Sequence, residues 1–139
     1  MLRPRSERLL VAAYSSANEK LDDQAQAIRL RIVLGRLSLQ HRSARSGSLP
    51  LYEAIVMKAR AMKLAGATVI RGQAGYGSSG RLHRAKSTDI AQDVPVVIDI
   101  VDTETKIQRF LPVLAGMMTS GLVTTKPVDR LAFKKHRAP

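Results

Sequence analysis

VPVVIDIV, residues 94 to 101, is a nearly unbroken apolar run too short for a membrane span. Apolar side chains on both faces, rich in β-branched residues, are what a strand needs when it is sandwiched inside a sheet. Pro95 falls at its entrance, where a missing N–H costs little. The run therefore predicts a central strand, and its neighbours on either side must supply the rest of the sheet.

Working towards the C-terminus, DTETKIQRFLPVLAGMMTSG begins with Asp102 and Thr103, either of which can cap a helix. Ile107, Phe110, Leu111, Leu114 and Met118 then lie on one stripe. Pro112 interrupts that helix and predicts a kink or a later start, and Gly121 is expected to end it. LVTTKPV follows as a short last strand, placed at an edge by Pro127.

Working towards the N-terminus, ATVIRG reads as a short β-branched strand. Before it, Leu51, Ala54, Ile55, Ala59 and Met62 are spaced three or four apart, with Glu53, Lys58, Arg60 and Lys63 elsewhere. That is an amphipathic helix, opened at Pro50 and expected to end near Gly66. In AIRLRIVLG, from residue 27, Ile28, Leu30, Ile32 and Leu34 alternate with Arg29, Arg31 and Val33, as in a strand with one buried face. The intervening QHRSARSGSLP has no periodicity and reads as a flexible loop. The order is strand, helix, strand, strand, helix, strand. It predicts an α+β, ferredoxin-like βαββαβ fold, with a four-stranded antiparallel sheet and both helices on one face. An open face and open edges in so small a domain are economically covered by a symmetric oligomer.

The chain has 139 residues, enough for one good core, and no cysteine, so neither disulfides nor thiolate metal sites are possible. Residues 1–25 form an N-terminal extension, helical or flexible, residues 26–131 the domain, and residues 132–139 a basic tail. The apolar run Leu9 to Tyr14 is too short for a signal peptide, and the expectation is a soluble cytoplasmic protein. The net charge of +12 raises an alternative function, a nucleic-acid-binding module using the basic loop and termini. Aromatics make up only 4% of the chain, which disfavours a base-stacking platform.

Between the second and third strands lies GQAGYGSSGRLH, residues 72 to 83, with four glycines. Glycines let backbone N–H groups approach a ligand, and Ser78, Ser79 and Arg81 can donate to phosphate oxygens. Gly77 is expected to be required by the backbone turn itself. His83 is a further phosphate donor or, more simply, a packed or solvated side chain. A Ser79, His83 and Asp89 triad would sit in one mobile segment, which argues against catalysis, so the protein is read as no enzyme. Asp22 with Asp23, and Asp99 with Asp102, do not suggest a metal cage.

Leu51-Tyr52-Glu53-Ala54, Ala65-Gly66-Ala67-Thr68-Val69, Arg71-Gly72, Gly75-Tyr76-Gly77, Arg81-Leu82-His83 and Gly121-Leu122-Val123-Thr124 together resemble the PII-like proteins of the family known as domain of unknown function 190. The resemblance spans about residues 26 to 131. It implies a homotrimer of PII-like subunits with clefts between them for a small anionic ligand, an adenine nucleotide such as AMP or ADP. It also implies a regulatory role exerted on a partner protein, such as a membrane transporter or channel, through the loop of residues 72–90. The binding residues it implies are Arg71, Gly75, Tyr76, Gly77, Ser78, Ser79, Arg81 and His83 from the first loop. Ser120, Gly121, Val123 and Thr124 would come from the segment that closes the same cleft after the second helix. MTSGLVTTK departs from the PII pattern there, with no GDGK-like run to hold a triphosphate, so a monophosphate or another small anion is favoured over ATP with metal.

Overall fold

In the computed structural model the described residues are 26–37, 39–43, 47–84 and 94–131, so the expected N-terminal extension and basic tail lie outside them. The main sheet contains β1 (Gln26–Leu34), β4 (Thr68–Arg71), β7 (Val96–Thr103) and β8 (Leu122–Asp129), in the order β4-β7-β1-β8. Every pairing within it is antiparallel. With α1 (Leu51–Ala61) after β1 and α2 (Glu104–Met117) after β7, this is the ferredoxin-like arrangement.

The alternation in β1 and β7 decides which residues meet the helices. Leu30, Ile32 and Leu34 from β1, and Val96, Ile98 and Ile100 from β7, are fully buried. They pack with Leu51, Ile55 and Ala59 of α1 and with Ile107, Phe110 and Leu114 of α2. Removing an aromatic ring as deeply buried as Phe110 would cost about 3–5 kcal/mol.

Three local features differ from the sequence-based expectation. The stretch read as a flexible loop contains a two-stranded hairpin, β2 (Gln40–Ser43) and β3 (Gly47–Pro50), joined by Gln40 opposite Pro50 and His41 opposite Leu49. Its polar, Ser-rich sequence hides strand pairing because no buried face imposes alternation. The first helix ends at Ala61 rather than near Gly66. Lys63 takes the left-handed conformation, φ 60°, while Leu64 N–H donates to the Ala59 carbonyl and Lys63 N–H to that of Arg60. This is a Schellman end built on lysine instead of glycine. The second helix stops at Met117, before Gly121, and runs through Pro112, which sits on its exposed side.

Asp102 explains how the first helix is tied to the second. Its carboxylate, only 2% exposed, accepts from Ala65 N–H at 2.8 Å and from Thr103 N–H at 2.7 Å. Lys106, one turn on, approaches it at 3.9 Å and also donates to the Lys63 carbonyl at 3.3 Å. The cap itself is Thr103, whose hydroxyl accepts from Lys106 N–H.

The strand β8 is not covered by the helices. Seven of its eight residues are exposed, including Val123 on the side facing the core and Leu122 on the opposite side. The face away from the helices is banded. Ile70, Val97, Val33 and Leu122 are cross-strand neighbours in one apolar row, and Thr68, Asp99, Arg31 and Thr124 form the next.

Candidate functional site

At one end of the sheet, Arg71 pairs with Val96 and Val96 with Leu34, and Gly121 abuts Leu34 on the far side. Arg71 and Gly121 thus terminate a single row across the sheet. Both groups of expected site residues begin here, one at each edge.

On the β4 edge the chain leaves the sheet as a narrow ribbon. Gly72 N–H donates to the Pro95 carbonyl at 2.8 Å, and a side chain at Gly72 would meet Pro95 Cγ at 2.8 Å, so only glycine fits this approach. β5 (Ala74–Gly75) and β6 (His83–Arg84) then pair, with Ala74 opposite Arg84 and Gly75 opposite His83. The tip between them turns through Gly77 to Gly80. Gly80 N–H donates to the Gly77 carbonyl at 2.9 Å, and Gly80 takes φ 70°. Gly77 does not carry the turn: it lacks a positive φ, and a Cβ there would meet nothing within 4 Å. The requirement for glycine falls instead on Gly72 and Gly80, whose roles depend on a distant proline and on a backbone angle.

The ribbon's tip is open to solvent. Ser78, Ser79 and Arg81 are exposed, Arg81 N–H donates to Ser79 Oγ at 3.3 Å, and Tyr76 stands 77% exposed. Leu82 is also exposed, whereas His83 turns inward and is buried, 8% exposed. The packed reading of His83 therefore describes its place. Asp89, the third member of the triad considered above, lies outside the described residues.

On the β8 edge Ser120 and Gly121 are exposed, and Thr124 lies beside Arg31 on the open face. Gly121 takes φ 120°, and a Cβ there would come within 2.8 Å of the Val33 carbonyl oxygen. This glycine lets the chain enter β8 hard against β1.

The two groups lie at the same end but on opposite edges, three strand spacings or about 14 Å apart. One chain does not bring them together around a small molecule. Among the described residues, no three His, Asp or Glu side chains converge as a metal site. Asp99 and Asp102 point to opposite faces of β7, Asp99 towards Arg31 and Asp102 into the core.

A ferredoxin-like domain with loops of this kind at one end defines a class of small α+β proteins. More narrowly, residues 28–130 match the family described as Uncharacterized ACR, COG1993 (DUF190), and the chain belongs to that family. A relative named "UPF0166 protein" from Aquifex aeolicus (strain VF5) is 38% identical over 80 residues, which are 58% of this chain and 75% of that protein. Among solved structures, the one titled "Structure of CPII bound to ADP and bicarbonate, from Thiomonas intermedia K12" aligns with a TM-score of 0.42 at 16% identity, over 76% of this chain and 90% of that one. No helix among the described residues is long and apolar enough to cross a membrane.

Proposed function

We propose that the chain is a cytoplasmic PII-like regulatory subunit that assembles as a homotrimer and binds a small anionic ligand, an adenine nucleotide such as AMP or ADP, in clefts between copies. The observation that carries this reading is the placement of Arg71 to Arg81 and Ser120 to Thr124 on opposite edges of one sheet end. A neighbouring copy that set its β8 edge beside the β4 edge of the first would complete one cleft at each contact. The exposure of β8 on both faces, and the open apolar row Ile70, Val97, Val33 and Leu122, give such a contact surface to bury.

In the cleft, Ser78, Ser79 and Arg81 donate to phosphate oxygens, and Tyr76 offers an exposed ring for a base. Ser120 and the backbone at Gly121, Val123 and Thr124 close from the neighbour. The chemistry is binding and release, with no catalytic step. Ligand occupancy would be read by a partner protein, such as a transporter or channel, through the ribbon.

The test combines light scattering with calorimetric titration of the full chain by AMP, ADP and ATP at fixed salt. The expected result is a mass near three chains and saturable nucleotide binding that survives metal chelation. Arg81→Ala should weaken it by about 1.5–3 kcal/mol, the worth of one charge-assisted hydrogen bond. A monomer, or tight salt-dependent binding of duplex DNA without any nucleotide response, would overturn the reading.

A further inference from the structure

On the open face of the sheet, Arg29 of β1 lies directly opposite Lys126 of β8 and, on its other side, opposite Val101 of β7. Like charges directly opposed across a strand pair repel, so the placement needs a compensating partner. The nearest carboxylate on this face, that of Asp99, is already engaged by both prongs of Arg31 at 2.8 Å. Arg29 is half-buried, and its Nε is buried without a hydrogen-bond partner. A buried guanidinium donor left unpaired is costly, and in native proteins it is normally satisfied.

The other described carboxylates do not reach this face. Asp102 is in the core, Glu53 and Glu104 are on the helices, and Asp129 falls on the opposite side of β8 from Lys126 by the alternation of the strand. A second copy presenting the same face would bring more cations and another already paired aspartate. Among the described residues, then, no carboxylate is left to pair with the Arg29 Nε–H.

We infer that Arg29 and Lys126 form an anion site on the open face of the sheet, which takes a compact oxyanion of the phosphate type between the Arg29 Nε–H and the Lys126 ammonium. Arg contributes a directed N–H and lysine a mobile charge, the usual division of labour between these residues around an oxyanion. The site lies away from the ribbon and from Ser120, on the part of β8 farthest from the expected nucleotide residues.

The arginine Nε–H resonances of the nitrogen-15-labelled full chain give the test, with Arg29 assigned by its loss in Arg29→Lys. Inorganic phosphate should shift the Arg29 resonance saturably, while chloride at matched ionic strength should not. Lys126→Gln, on an exposed edge strand, should raise the apparent dissociation constant by about tenfold. A linear response shared with chloride, or a saturable response indifferent to Lys126→Gln, would overturn the assignment. So would an Arg29 resonance that moves only with protein concentration, which would instead assign the partner to a second copy. Phosphate bound at the ribbon would register at Arg81, so failure here leaves the nucleotide reading intact.

Discussion

Arg31 and Asp99 face each other across β1 and β7 in a two-pronged ion pair, Nε to Oδ1 and Nη2 to Oδ2, both at 2.8 Å. The hydrogen bonds from Arg31 hold the Asp99 carboxyl below its ordinary range despite partial burial, and the charges of Arg31 and Arg29 act in the same direction. The same pairing raises the Arg31 guanidinium. A carboxylate whose native pKa is depressed stabilises the fold fully above its unfolded value, near 3.9, and loses that contribution as pH falls through the native value. The pair should therefore contribute fully, and independently of pH, around neutrality, and its contribution should be lost in acid. Asp99→Asn should flatten the acid limb of a denaturation series below about pH 4 and leave the slope between about pH 6 and 8 unchanged.

Gly121 and Gly77 should separate a glycine required by the fold from one that is not. Gly121→Ala puts a Cβ against the Val33 carbonyl at a φ of 120°, and should cost at least about 2 kcal/mol in urea denaturation. Gly77→Ala meets open space and should change stability by less than about 0.5 kcal/mol. Any large loss at Gly77 must then come from ligand binding.

Asp102 should be the most sensitive polar residue of the domain. Asp102→Ala strips the Ala65 N–H and the Thr103 N–H of their charged acceptor and should destabilise by about 2–4 kcal/mol. Asp102→Asn retains one acceptor oxygen and should cost less. Chemical denaturation of both variants checks the order.

The fold was legible because its two central strands carry opposite and equally clear signals. β1 alternates, and β7 is apolar up to Asp102 apart from Asp99. Pro127 marked an edge correctly, since among the described residues β8 pairs only with β1. What escaped reading depends on contacts between residues far apart in sequence. The role of Gly72 is set by Pro95, 23 positions on, and the end of α1 is set by a lysine forced into a left-handed turn. The hairpin at Gln40–Ser43 and Gly47–Pro50 has no buried face to print a pattern on the sequence. Within the site, the glycine and serine content of residues 72 to 83 announced a loop, but the burial of His83 and the two-rung ribbon beneath the tip came only from structure.

If each ligand site is built from two copies, mixed assemblies of two complementary variants will reveal it. Arg81→Glu should repel an anionic ligand from the ribbon, and Ser120→Asp should repel it from the β8 edge, each abolishing nucleotide binding in a pure assembly. Both positions are exposed, so the fold is expected to survive. Unfolded together and refolded as an equal mixture, the two variants should regain about one quarter of the wild-type sites, because a cleft between copies can then draw an intact ribbon from one variant and an intact edge from the other. A refolded, mixed oligomer that binds no more nucleotide than either variant alone would contradict a shared site.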